Sequence, residues 1–510
     1  MNNKLKLFFI VFFISILLFS SNNKFYAASN VSKITQDDMI YFIMTDRFCD
    51  GDKSNNYGVD TSNPSKYHGG DFQGIINKLD YIKNLGFTAI WITPVVKNQE
   101  DGYHGYWATD FYKTNEHFGS MEKLKELVKK AHEKGIKVIF DIVVNHTGSK
   151  HPFVTDPKKA SWFHPNISID DFNNQDDVEN GWLSGLPDLN QDNLEVKNYL
   201  INMAKWWIKQ TNIDGYRLDT VKHVPKSFWK DFSAAIKKDY PNFYLIGEVN
   251  NGSPAYIQSY DKTGIDGFLD FPTYNTINSV FKGLKPASDL DSLIDGQDVY
   301  KNKNLMGTFI DNHDVPRFVN GIKDLNDERL KSALTFMMTY TGIPIMYYGT
   351  EIGMDGGNDP DNRRMMNWNT KSPITEYVKK LTLIRKANPA LTRGSIDVLD
   401  SSDNYICYLR KYKSNTVISV FNTSNKMQKI TFELPKNNYG FLDSLKDLIS
   451  QKNYKISKGK VTMNMQPMQA AVLTTKSNLV YLYAAAAIAI IVIASIAVVF
   501  LVRRTRGLLN

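Results

Sequence analysis

Cysteine is nearly absent: the 510-residue chain has two, Cys49 and Cys407. Two thiols cannot build a disulfide framework, so free thiols are expected. No histidine pattern near either suggests a nucleophile. Internal repeats and low-complexity linkers are lacking, which excludes a fibrous protein. Long apolar runs are missing except at the two ends, which excludes a multi-pass membrane protein. A charge bias is also missing from the body. The formal net charge is +8, but Lys4, Lys6, Lys24, Arg503, Arg504 and Arg506 lie at the termini and account for all but +2 of it. With no clustered basic face, a nucleic-acid partner is not expected. What the chain does have is apolar mass: 42% hydrophobic residues, with 8 Trp, 27 Tyr and 29 Phe. That excludes disorder and suffices for a large core and two or three domains.

The ends read as targeting segments. Residues 1–28 have the form of a signal peptide: Lys4 and Lys6, an apolar stretch over 7–19, then Ala27 and Ala28 before a cleavage point. Residues 479–502 form an uncharged apolar run that, as a helix, would be about 36 Å long and would span a bilayer. Arginines follow at once, so residues 503–510 are expected to be a cytoplasmic tail. No LPxTG-type sorting motif precedes the run. The expectation is a cell-membrane protein, single-pass, held by its C-terminal transmembrane helix with the folded body outside.

Between residues 31 and 395, short apolar strands alternate with amphipathic helices. Strands are expected at 40–44, 89–93, 138–144, 215–218, 243–247, 267–271, 305–310 and 343–347. The helix over 121–134 shows the pattern well, with Leu124, Leu127, Val128 and Ala131 on one face. Eight strand–helix units predict an α/β fold, a (β/α)8 TIM barrel. Residues 145–193 are too long for a plain loop and are read as a small domain inserted after strand three. Residues 396–475 turn to short alternating strands, predicting a C-terminal antiparallel β-sandwich.

Side chains just past the C-terminal ends of barrel strands converge on one mouth. Here those ends carry Asp141, Asn145 and His146; Arg217, Asp219, Lys222 and His223; Glu248; and Asp311, His313 and Asp314. Carboxylates from several strands beside an arginine and histidines suit cleavage of an acetal, which needs a nucleophilic carboxylate and a carboxylic acid. Clustered negative charge keeps one of them protonated. Arg217, two residues before Asp219 on the same strand, points to the same side and would hold it ionised.

In order, DIVVNH, GYRLDTVKH, GEV and FIDNHD, together with GFTAIWITP, LPDLN and GIPIMYYGTE, resemble segments of the alpha-amylase family, glycoside hydrolase family 13. The resemblance covers about residues 35–475. It implies a retaining hydrolase acting on internal α-1,4-glucosidic bonds of starch, glycogen or maltodextrins. It implies Asp219 as nucleophile, Glu248 as general acid and base, and Asp314 as the third carboxylate. It implies His146 and His313 as hydroxyl binders, Tyr106 as a stacking platform with His104 beside it, and Lys222 and His223 on the acceptor side. Asp359 and Arg363 would bind more distant donor-side sugars. Calcium is implied at Asn145, Asp188 and the backbone of His223, with Glu179 adding a carboxylate. A second calcium loop resembles Asp50, Asp52, Asn55 and Asn56, with Gly69 and Asp71 downstream. A monomer is expected. The main enzyme alternative is a cyclodextrin glucanotransferase, but Ser184 and the Val249–Asn250 pair stand where that group has aromatics. The non-enzymatic alternative is a membrane-tethered glucan-binding protein, against which stands the full set of catalytic carboxylates.

Overall fold

The computed structural model describes residues 33–435 and 443–474. Eight parallel strands form its central sheet: β1 (Ile40–Ile43), β2 (Ala89–Ile92), β5 (Lys137–Ile142), β6 (Gly215–Leu218), β7 (Tyr244–Gly247), β8 (Gly267–Phe268), β9 (Gly307–Thr308) and β10 (Ile343–Tyr347). Their spatial order is β8-β7-β6-β5-β2-β1-β10-β9. A parallel bridge between Leu269, just past β8, and Gly307 in β9 joins the two ends. The sheet is therefore a barrel, closed at that point by one bridge. The short hairpin β3 (Val96–Asn98) and β4 (Ala108–Thr114) follows β2.

The sequence explains why these segments pair. IYFI, AIWI and YLIG are buried along their full length, as parallel strands covered on both faces must be. The helices around them have the period-3.6 stripe. In Met121–Glu133 the buried residues are Leu124, Leu127, Val128 and Ala131, and Ser120 caps the first turn by accepting from Lys123 N. Asp71 caps Phe72–Leu85 in the same way, and Gly86 ends that helix at φ 99°, a left-handed conformation that favours glycine.

Residues 145–193 contain more local structure than their composition predicts. Helical turns at Pro152–Thr155, Pro157–Trp162 and Gln175–Asn180 are tied by the bridges His146↔Asp188, Phe163↔Leu189 and Ser168↔Trp182. The turns are too short to produce an amphipathic stripe, so periodicity could not reveal them.

After the barrel, eight strands pair antiparallel: β11 (Ser395–Ser401), β12 (Tyr405–Tyr412), β13 (Asn415–Asn422), β14 (Gln428–Glu433), β15 (Ser444–Asp447), β16 (Asn453–Ser457), β17 (Lys460–Met465) and β18 (Ala470–Thr474). β14 returns against β11 and β12, so the sheet folds over its own core of Ile418, Val420, Phe432, Met463 and Leu473. Cys407 is buried there and Cys49 lies in the barrel, and both are free thiols.

One part of the expected architecture is corrected. Among the described residues no helix is long and apolar enough to cross a membrane. The fold class of the described residues is thus barrel plus C-terminal antiparallel sheet, with no transmembrane helix among them. The expected membrane partner and cell-membrane localisation lose their support with it. The run over 479–502, the tail 503–510 and the signal-like segment 1–28 lie outside the described residues.

Candidate active site

The strand ends deliver their polar residues to one cavity of about 450 Å³. Its floor is Arg217, which is fully buried. Arg217 Nη1 donates to Asp141 Oδ1 and Oδ2 at 2.9 and 3.0 Å and also bonds Asp219 Oδ1. Its Nη2 lies 2.8 Å from Glu248 Oε1. One guanidinium from β6 thus holds carboxylates from the ends of β5, β6 and β7. The planar fork suits this arrangement, which a lysine's single ammonium would not reproduce.

Glu248 and Asp219 are set apart by their other contacts. Glu248 Oε2 accepts from the backbone N–H of Thr220 at 3.0 Å. Burial pushes the Glu248 carboxyl up to about 8, with the Asp219 and Asp314 charges adding to the rise and Arg217 opposing it. Asp219 Oδ2 accepts from Thr220 Oγ1 at 3.2 Å. Glu248 is therefore held toward its protonated form near neutral pH.

On the opposite wall, Tyr106 Oη lies 2.8 Å from Asp141 Oδ2 and 2.6 Å from His313 Nε2. The hydroxyl has one proton to give, and the Asp141 carboxylate accepts it. His313 Nε2 then donates to Tyr106, which leaves its Nδ1 as an acceptor. Burial drives the His313 pKa far down, so the ring is neutral. His146 Nε2 donates to the Tyr106 carbonyl at 3.2 Å, and its Nδ1 faces Asn145 Nδ2 at 3.3 Å. Burial lowers the His146 pKa too. Asp314 is the exposed carboxylate of the set. Arg363 Nη2 reaches its Oδ1 at 3.3 Å, while Arg363 Nη1 lies 3.0 Å from Asp359 Oδ1.

The cavity is lined by Asp219, Glu248, Asp314, His104, Tyr106, His146, Lys222, His223, His313, Asp359 and Arg363. With Arg217 beneath, every residue assigned to catalysis or substrate contact lies at this one place. Lys222 Nζ donates to Asn250 O at 3.2 Å, and His223 Nδ1 donates to Val178 O at 3.1 Å. Two participants, Trp107 and Phe172, escaped the sequence reading, and a third, Asp141, was placed at its strand end without a role. Asp141 stood in view at the head of DIVVNH, yet nothing in the sequence showed it shared by Arg217 and Tyr106. Trp107 also lines the cavity. Phe172 lines it from the inserted segment, 58% exposed, with Lys222 Nζ 5.7 Å from its ring centroid. It lies among Asp and Asn residues without any periodic signal.

The two residue sets assigned to calcium differ from a cluster of charges. Among the described residues no group of three or more His, Cys, Asp or Glu could hold a metal ion. Individual asparagine and aspartate oxygens stand out instead. Asn145 Oδ1 and Asp188 Oδ1 are buried without hydrogen-bond partners, as are Asp50 Oδ1, Asn55 Oδ1 and Asn56 Oδ1. Buried oxygens left unpaired are costly, and hard oxygen donors suit Ca²⁺. Other assigned side chains are engaged by protein. Glu179 Oε1 accepts from Gln175 at 2.6 Å. Asp52 Oδ1 accepts from Ser54 N and Oγ. Asp71 Oδ2 accepts from the backbone of Gly51 and Asp52, and its Oδ1 from Gly74 N. Gly69, at φ 90°, packs where a Cβ would meet Asn56 Oδ1 at 2.8 Å, so a side chain there would crowd that loop.

Residues 42–376 match the model of the alpha-amylase catalytic domain. A beta/alpha-amylase of Paenibacillus polymyxa is 45% identical over 457 residues, 85% of this chain, but the chain spans only 37% of that protein's length. A cyclomaltodextrinase of Thermoanaerobacter pseudethanolicus is 35% identical over 78% of this chain and 72% of its own. Among solved structures, an Anoxybacillus alpha-amylase superposes with a TM-score of 0.82 at 46% identity, covering 87% of this chain and 99% of its own. With the catalytic-domain match running through every strand-end carboxylate described above, the chain belongs to the alpha-amylase family, as an alpha-amylase-type glycoside hydrolase.

Proposed function

We propose that the chain hydrolyses internal α-1,4-glucosidic bonds of starch, glycogen or maltodextrins with retention of configuration. The observation that carries this is the Arg217 guanidinium, ion-paired at once with Asp141, Asp219 and Glu248 at the base of the cavity. Asp219, positioned by that contact, attacks the anomeric carbon. Glu248, raised by burial, gives its proton to the departing oxygen. The carboxylate so formed then takes a proton from water, which cleaves the glycosyl–Asp219 ester. Neutral His146 and His313 offer hydroxyl contacts, Tyr106 a ring face, and Asp314 with Arg363 the hydroxyls of the distorted sugar. Asp359 extends the donor side, while Lys222, His223 and Phe172 face an acceptor sugar. Residues 31–395 form the catalytic unit in this reading.

Hydrolysis is favoured over glucan transfer by what lines the acceptor side. Ser184 and Asn250 reach the cavity and Val249 is buried beside it, so no aromatic at these positions grips an acceptor against water. Members of the family typically use a structural calcium ion. We assign it to Asn145 and Asp188, with a further ion at Asp50, Asn55 and Asn56. Bound there, calcium supplies counter-charge that braces the segment carrying His146.

The experiment is a product analysis on amylose. A growing ladder of linear maltooligosaccharides with new reducing ends is expected, whereas cyclic products would overturn hydrolysis in favour of transfer. Glu248→Gln is expected to lower kcat by about 10³ or more while glucan binding persists. Unchanged turnover would remove Glu248 from its role.

A further inference from the structure

A second cavity, of about 320 Å³, lies where the loop after β10 meets the Phe72–Leu85 helix and the first turn of Pro373–Ala387. It shares no lining residue with the active-site cavity. Its walls are Trp368 and Tyr81, whose rings meet edge to face at 5.1 Å. Both rings are fixed from behind. Trp368 Nε1 donates to the Phe48 carbonyl at 2.8 Å, and Tyr81 Oη donates to the buried Glu351 at 2.9 Å. The Lys78 ammonium lies over the indole, 4.0 Å from the centroid, at the end of a chain long enough to swing aside.

The rim identifies the ligand class. Asn367, Thr370, Lys371 and Glu376 line the cavity and are exposed. Charges of both signs disfavour an anionic or a cationic ligand. A rigid aromatic wall beneath amide and hydroxyl groups matches a neutral molecule with an apolar C–H face and a hydroxyl edge, which is a sugar ring. Trp368 follows Arg363 by five residues, so the two Cα atoms are at most about 18 Å apart.

We propose that the Trp368–Tyr81 cavity is a second α-glucan-binding site, which takes a few sugar units of a polymer whose reacting segment lies in the cleft. This rests on the α-glucan reading of the cleft. Holding the chain at two points raises the effective concentration of the scissile segment for long substrates and does nothing for short ones.

The test is calorimetric titration of the full chain bearing Glu248→Gln with maltoheptaose. Two sites are expected, with Trp368→Ala removing one. Because Trp368 also packs on Phe48, the exposed pair Asn367→Ala/Thr370→Ala provides a second variant, expected to weaken the same site with the melting temperature unchanged. In the active protein, both variants are expected to lower kcat/KM on amylose about tenfold while leaving maltotriose within about twofold. One site that survives Trp368→Ala, or equal losses on long and short substrates, would overturn the proposal. One site abolished by Trp368→Ala would uphold glucan binding at this cavity but sink the glucan reading of the cleft, and with it the two-point hold.

Discussion

Glu248 shows how one side chain acquires a working pKa from its surroundings. Burial and two neighbouring carboxylates favour the protonated form, and Arg217 and the Thr220 N–H oppose them. The acid form is the active one for leaving-group protonation, so activity is lost as pH rises through the raised pKa. The expected result is an alkaline limb in kcat/KM near pH 8, falling about tenfold per unit beyond it. A limb below about pH 6 would mean that another group, nearer its ordinary value, donates the proton. At this scale the sequence was most legible where chemistry sits on regular structure. Asp219 and Arg217 are two residues apart on a strand, and their shared direction follows from the pleat. Asp141 was harder to read, because its partners Tyr106 and Arg217 come from segments 35 and 76 residues away, a proximity that only the closed barrel creates.

At the scale of elements, the long strands and helices followed their patterns, whereas β8 and β9 are two residues each. Wider stretches were expected at 267–271 and 305–310. Near them Asp270 caps the helix Phe271–Phe281 by accepting from Thr273, so the chain leaves the strand for the helix earlier than its hydrophobicity suggests. The loops carry a different kind of information. Asp50, Asn55 and Asn56 present unpaired oxygens in a loop of three-residue turns, and Asn145 and Asp188 do so at the root of the inserted segment. Calcium bound to the native loops would stabilise them by mass action. Chelation is expected to lower the melting temperature by about 5 °C, with Asn145→Ala removing part of that response. An unchanged melting curve with chelator would contradict the calcium assignment.

At the scale of the whole molecule, two buried arginines bind the carbonyls around the end of the Asn326–Thr339 helix, and one of them, Arg410, joins the barrel to the C-terminal sheet. Arg410 of β12 donates to the carbonyls of Thr339, Gly394 and Ser395, and Arg385 donates to those of Met338 and Gly342. Both arginines are fully buried, and burial lowers their pKa values, to about 10 and about 9. The carbonyls around the end of the Asn326–Thr339 helix supply the negative potential that holds them. Replacing Arg410 by methionine would strand three carbonyls. It is expected to cost about 3 kcal/mol in chemical denaturation of the full chain; a neutral result would mean that water satisfies those carbonyls.

The single Leu269–Gly307 bridge gives the barrel a seam. Asp219 and Glu248 follow β6 and β7 on one bank of it, and His313 and Asp314 follow β9 on the other. The side-chain ends of Ile246, Leu269 and Ile345 crowd Gly307, so that any side chain there would have to displace those methyl groups. Warming that loosens this seam would separate the nucleophile and the acid from the carboxylate that completes them, long before either half of the barrel melted. The temperature at which such a molecule stops working is set by its weakest stitch, and its unfolding temperature by everything else.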